Sequence, residues 1–278
     1  MQTGCSGNRD FIRANLYGGD AIHKIGNTPW TRRLCRSSHS GMSKIKTHIL
    51  VTGASRGIGK AILESLDQDN LKLVGQSTAG DDGLIAADFT RQGAATLLWE
   101  QALDRLDGRI DVLINNAGLF EPNPLAAGDW LESWNRTMTI NLTVSAELCR
   151  LAVLHFQQRG QTGRIINIAS RAAYRGDSPD HWHYAASKAG MVAMTKTIAR
   201  AYGKDEILAF AICPGFTMTG MAEDYLASRG GDKLLADIPL GRVAQPEEIA
   251  SIARYCALDA PPSMTGAVLD ANGASFVR

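Results

Sequence analysis

The sequence predicts an α/β fold: one doubly wound parallel β-sheet covered by helices on both faces. Three observations carry that reading. From Lys46 onward, short apolar runs alternate with helical stretches. The runs are continuously apolar rather than alternating, as in HILV, LKLV and RIINI, which is the pattern of strands buried on both faces. A glycine-rich turn, Thr52-Gly53-Ala54-Ser55-Arg56-Gly57-Ile58-Gly59, joins the first run to the first helix.

Each element follows from its residues. HILVTG is the first strand with its turn, and Ile58–Leu66 the first helix. Residues 71–75 and Leu84–Ala87 are further strands, followed by a helix over Thr96–Leu106 whose leucines recur at helical spacing. Asp111–Ile114 is the fourth strand, Trp130–Gln158 one or two helices, and Arg164–Ala169 the fifth strand. The stretch HYAASKAGMVAMTKTIARAY is rich in Ala, Met and Lys and reads as a helix. Ile207–Ile212 is the sixth strand, stopped by Cys213-Pro214-Gly215. Pro246–Cys256 starts with proline and two glutamates, both favourable in a first helical turn. Ala267–Leu269 is the last strand. No internal repeat or linker divides the 278 residues, so residues 42–278 read as a single Rossmann-type domain.

Residues 1–41 differ. Six cations (Arg9, Arg13, Lys24, Arg32, Arg33, Arg36) face two acids (Asp10, Asp20), so +4 sits here and −3 in the remainder of a chain of net charge +1. The stretch has no apolar core of a secretory signal and no periodicity. It reads as a disordered basic tail, or as sequence ahead of a true start at Met42; its composition also resembles a transit peptide. Elsewhere the charges are scattered, which argues against a nucleic-acid partner. No uninterrupted apolar run has the length of a membrane span. Five widely spaced cysteines, without metal-ligand spacing, suit free thiols in a reducing, cytoplasmic compartment.

The chemistry starts with Tyr184 and Lys188, four apart on one helix face. A free tyrosine keeps its proton to about pH 10. A nearby cation lowers that value, so the pair is equipped to exchange a proton with a carbonyl or alcohol oxygen. The spacing alone is common on helices that do no chemistry.

Gly53, Ser55, Arg56, Ile58 and Gly59 form the candidate pyrophosphate cradle, with spacing G-x-x-x-G-x-G at a helix N-terminus. An NAD site usually carries an acid about 20 residues further on. Here the second strand ends Gly75-Gln76-Ser77-Thr78-Ala79, with no acid before Asp81. Arg56 suits a 2′-phosphate by charge and fork geometry, with Thr78 donating, so NADP(H) is expected over NAD(H). The alternative leaves Arg56 in solvent and folds Asp81 or Asp82 onto the ribose. Asp88 and Phe89, after the third strand, are candidates for the adenine. Asn116, Ala117 and Gly118, after the fourth, allow close backbone approach to the cofactor, although Asp, Asn and Gly are also ordinary turn residues.

Together, TGASRGIG, NNAG, a serine after the fifth strand, YAASK and PG after the sixth resemble the short-chain dehydrogenase/reductase family, over about Ile45–Val277. The 3-oxoacyl-[acyl-carrier-protein] reductases are the most similar members, through RIDVLINNAG, GRIINIAS, PGFTMTGM and MTGAVLDANG. The resemblance implies an oxidoreductase that reduces a carbonyl with NADP(H), on a substrate carried by acyl carrier protein, in a homo-oligomer. It makes Tyr184 the general acid. Lys188 lowers the phenol pKa and holds the nicotinamide ribose, Ser170 bonds the substrate oxygen, and Asn141 holds a water that relays protons from Lys188. Pro214, Gly215, Thr217 and Thr219 match the turn against the nicotinamide amide. Read singly, Ser170 also suits a helix cap and Asn141 a core polar group.

The chain departs from that pattern in several places. Ser170 and Tyr184 are one residue further apart than in the carrier-protein reductases. The intervening RAAYRGDSPDHWH is polar and aromatic, so His181, Trp182 and His183 either shape a substrate pocket or decorate a surface loop. Phe210 stands where the family has asparagine, and Asn272-Gly273 where Asp-Gly-Gly is usual. Arg159, Arg200 and Lys204 are the candidates for carrier docking, and Gly220–Asp237 for a mobile lid. Two rival functions stay open: a dehydrogenase of a sugar, steroid or small hydroxy acid, and a catalytically silent NADP-binding protein.

Overall fold

The structure is a computed structural model that describes residues 47–67, 70–219 and 231–278, without the side chains of 232–234. The basic stretch 1–41 and most of the expected lid lie outside the described residues. Seven strands, β1 Thr47–Val51, β2 Leu71–Ser77, β3 Ile85–Ala86, β4 Val112–Asn115, β5 Gly163–Ile168, β6 Ile207–Pro214 and β7 Val268–Ala271, form one sheet in the order 3-2-1-4-5-6-7. Every pairing is parallel. The helices are α1 Gly57–Leu66, α2 Ala94–Arg105, α3 Trp130–Met138, α4 Val144–Arg159, α5 Ala172–Arg175, α6 Trp182–Tyr202, α7 Gly231–Ala236 and α8 Pro246–Leu258.

The continuous apolar strands divide by alternation. Leu50, Leu113, Ile165, Ile207 and Ala209 face α2, α4 and α6. Their neighbours Ile49, Val51, Val112, Ile114, Ile166, Ile168 and Phe210 face α1 and α8. Most residues of the central strands β1, β4, β5 and β6 are thus buried on one face or the other, which explains runs with few polar positions. Phe210, fully buried, fills the second layer.

Trp130–Arg159 is one continuous helical run, long and apolar enough to cross a membrane among the described residues. Its Val144, Leu148, Cys149, Ala152, Val153 and Phe156 belong to the core. The run is two helices joined by a π turn at Thr139–Thr143. β-branched Thr139, Ile140 and Thr143 are poor helix formers there, and such turns gather at functional sites. The strand order reverses between β1 and β4, so a crevice opens at their carboxyl ends.

Candidate active site

The first strand-to-helix turn packs directly on the Asn116 turn. Gly53 has φ +65°, and a Cβ there would lie 2.7 Å from the Ala117 Cα; one on Gly59 would lie 2.0 Å from the Gly53 carbonyl oxygen. Only glycine fits either place. Thr52 Oγ1 accepts from the Asn116 and Ala117 N–H groups, both at 3.0 Å. Asn116 Nδ2 donates back to the Thr52 and Gly53 carbonyls at 3.1 and 2.9 Å. Gln76, buried at the end of β2, accepts from the Gly53 N–H at 2.9 Å and donates to the Ala87 carbonyl at 2.8 Å. One side chain thereby fixes the ends of β1, β2 and β3. Thr52 and Gln76 were missed in the sequence; the available signal was a polar residue at the carboxyl end of a largely apolar run.

This cradle fits a dinucleotide. Glycines clear the approach to the α1 N-terminus, and the first turn of α1 carries no acid to repel an anion. Ser55 and Arg56 are exposed at its edge, as is Thr78. Ile58 is half-buried against the α8 layer. Asp88 bonds the Thr90 N–H and hydroxyl at 3.0 and 2.7 Å, and those bonds lower its pKa. The Phe89 side chain is buried in the core, which leaves its backbone to face a ligand. Across the crevice, Thr217 is buried and Thr219 Cγ2 lies 3.0 Å from where a Cβ on Gly57 would sit. The 214–219 turn therefore closes over the glycine loop, and Gly215 packs on Asn272.

The expected catalytic set gathers at the ends of β4 and β5. Fully buried Asn141, within the π turn, binds Leu119 at both ends: its Oδ1 accepts from the N–H at 2.7 Å and its Nδ2 donates to the C=O at 2.9 Å. Nδ2 also reaches Ser187 Oγ at 3.2 Å, which donates to the Tyr184 carbonyl at 2.7 Å. A Cβ on Gly118 would sit 3.5 Å from both Asn141 Oδ1 and Lys188 Nζ. Ser170 Oγ accepts from the Ala172 N–H at 3.1 Å, starting α5.

Burial shifts both members of the Tyr184–Lys188 pair. Burial pushes the phenol up to about 12, against the opposing influence of Ser170. Burial brings Lys188 down to about 8, only partly offset by Cys213. Lys188 Nζ donates to the Ile168 carbonyl at 2.8 Å and lies 5.8 Å from the Tyr184 ring centroid. Desolvation disfavours both charged forms.

The loop before Tyr184 sends its three unusual residues in three directions. The His181 ring stacks on Phe120, Trp182 is 53% exposed, and His183 is 1% exposed and packs toward Trp134 of α3. Both His183 ring nitrogens lack a partner. The docking candidates lie away from the Tyr184 phenol. Arg159 is held by Asp111 and the Ile110 carbonyl at the amino-terminal edge of the sheet. Arg200 lies 16 residues beyond Tyr184 on or near α6, a distance of about 24 Å, and Lys204 is further still.

A proton donor at the mouth of a nucleotide crevice defines a class: oxidoreductases that work with a nicotinamide cofactor. A family model described as enoyl-(acyl carrier protein) reductase matches residues 53–273. The 3-oxoacyl-[acyl-carrier-protein] reductase of Synechocystis is 36% identical over 241 residues, 81% of this chain and 94% of that protein. Those of Vibrio cholerae and Escherichia coli are 34% and 32% identical, over 82% of this chain and 96% of each. The chain belongs to the short-chain dehydrogenase/reductase family and is an oxidoreductase.

Proposed function

We propose that this protein reduces the ketone of a 3-oxoacyl thioester with NADPH. The observation that carries the reading is the gathering of Asn141, Ser170, Tyr184 and Lys188 at the carboxyl ends of β4 and β5, beside the glycine cradle. Reduced nicotinamide supplies hydride to the carbonyl carbon when bound. Ser170 holds the carbonyl oxygen, and Tyr184 gives that oxygen its proton. Lys188, beneath the phenol, is poised near 8 to pass a proton onward, and Asn141 fixes the loop that walls the site. A proton donor aimed at oxygen favours carbonyl reduction over reduction of a carbon–carbon double bond.

Exposed Arg56 at the N-cap of α1 supports NADPH through a charge-assisted bond to the 2′-phosphate. The names of the relatives support a substrate on acyl carrier protein and a cytoplasmic setting. Leu154, half exposed on α4, supports burial against a second copy in a homo-oligomer, dimer or tetramer. Residues 42–278 make up the catalytic domain in this reading, with 1–41 a basic extension.

The test assays the full chain with NADPH and NADH against 3-oxoacyl and 2-enoyl thioesters, sugars, steroids and hydroxy acids. Rapid NADPH oxidation with the 3-oxoacyl series is expected. Arg56→Ala raises KM for NADPH by roughly 10- to 100-fold, the worth of one charged hydrogen bond, and leaves KM for NADH in place. Tight NADPH binding with no turnover would sink the reading in favour of a silent binding protein.

A further inference from the structure

The rings around Tyr184 are arranged in series. Phe120 meets the Tyr184 ring edge to face, with centroids 4.8 Å apart and planes at 82°. On Phe120 lies the His181 ring, 4.0 Å away and within 9° of parallel. Both rings are held from behind. The residue before Phe120, Leu119, is clamped through its N–H and its C=O by Asn141. His181 Nδ1 bonds Ser178 Oγ at 2.6 Å, and its Nε2 is buried without a partner. The Asn123 N–H donates to the Asp180 carbonyl at 2.8 Å, which ties the Phe120 loop to the His181 loop. Phe120 itself is half-buried. A flat apolar ring fixed on both sides takes a methyl or methylene group by contact, but cannot move aside for a longer chain without strain.

The geometry points to Phe120, backed by His181, as the wall that selects the substrate by chain length, favouring short 3-oxoacyl groups. This inference rests on the carbonyl-reductase reading above and narrows it. Phe120 and His181 are specificity residues, since neither presents a free acid or base to the reacting oxygen.

The experiment measures kcat/KM of the full chain with NADPH on pantetheine thioesters of 3-oxo acids from four to ten carbons. The wild type is expected to prefer four carbons. Phe120→Ala raises the eight- to four-carbon ratio by about tenfold or more, the worth of about one methylene contact. Phe120→Leu, the variant less exposed to misfolding, gives an intermediate rise, and His181→Ala a smaller one. KM for NADPH and the pH profile of kcat stay in place, whereas a loosened site would move both. A ratio unmoved within about twofold in both Phe120 variants, with all lengths falling in parallel, overturns the wall. If the wild type turns over no 3-oxoacyl thioester, the functional reading fails on its own. The same variants are then compared on a methyl-ketone series, where an unmoved ratio, or no turnover of any carbonyl, overturns the wall as well.

Discussion

The two ends of the sheet treat buried polar groups in opposite ways. At the amino-terminal edge, Asp111 accepts from Arg109 at 2.8 and 2.9 Å, from Arg159 at 3.1 Å and from the His48 N–H at 2.9 Å. Nearby, Arg164 donates to the Cys256 and Ala260 carbonyls at 2.8 and 2.9 Å, closing the end of α8. At the carboxyl edge, Asn115 Oδ1, His181 Nε2 and both His183 ring nitrogens are buried without partners, and Lys188 holds a single carbonyl. Both ends bury polar groups, so burial alone does not decide the chemistry. The amino-terminal groups pair with one another and stabilise the fold. The carboxyl edge, beside the well-bonded Asn141 and Gln76, also keeps polar atoms without a partner among the described residues, and it is this less satisfied end that holds the proton donor.

The largest expected effect removes the proton donor from the unsatisfied end. Tyr184→Phe lowers kcat by about 10²- to 10⁴-fold, the range for a lost general acid, with the NADPH dissociation constant little changed and the fold intact. Stopped-flow hydride transfer and nucleotide fluorescence separate the two. Turnover within about tenfold of wild type would mean that the proton comes from elsewhere.

An equal disturbance at the satisfied end should act on stability alone. Burial by itself would raise the Asp111 carboxyl, but the bonds from Arg109, the His48 N–H and Arg159 hold it below its ordinary value. A lowered carboxyl stabilises the fold above its unfolded pKa, and that contribution is lost as the pH falls through the folded pKa. Asp111→Asn should therefore cost about 2–3 kcal/mol at neutral pH, less than a fully buried pair because Arg109 is partly exposed. The difference from wild type should fade in acid. Denaturant melts across pH read this, while kcat per folded molecule stays unchanged.

The same contrast shows what the sequence made legible. The parallel sheet and its two helical layers followed from continuous apolar runs, because burial on both faces leaves a pattern in one dimension. Tyr184, Lys188, Ser170 and the glycine turn were visible as local spacings. Gln76 and Phe120 were not, since their partners Gly53, Ala87, Asn141 and His181 are distant in sequence. The burial of the Tyr184–Lys188 pair was hidden for a related reason: helical spacing announces a neighbouring charge but not the loss of water around it.

That pair supplies the smallest and sharpest test. Burial lowers Lys188 from 10.5 to about 8, a difference worth about 3 kcal/mol. At pH 7 the folded protein carries this buried cation at full cost. Between about 8 and 10.5 the unfolded chain keeps a proton that the folded one has shed, so the cost fades as pH rises. Lys188→Met removes the cation but strands the Ile168 carbonyl, which returns about 1–3 kcal/mol. A net gain of up to about 2 kcal/mol at pH 7, shrinking by pH 10, is expected together with loss of activity. A methionine variant that melts lower than wild type at pH 7 would place Lys188 with Asp111, as a group that supports the fold, and the contrast between the two ends would fail at its centre.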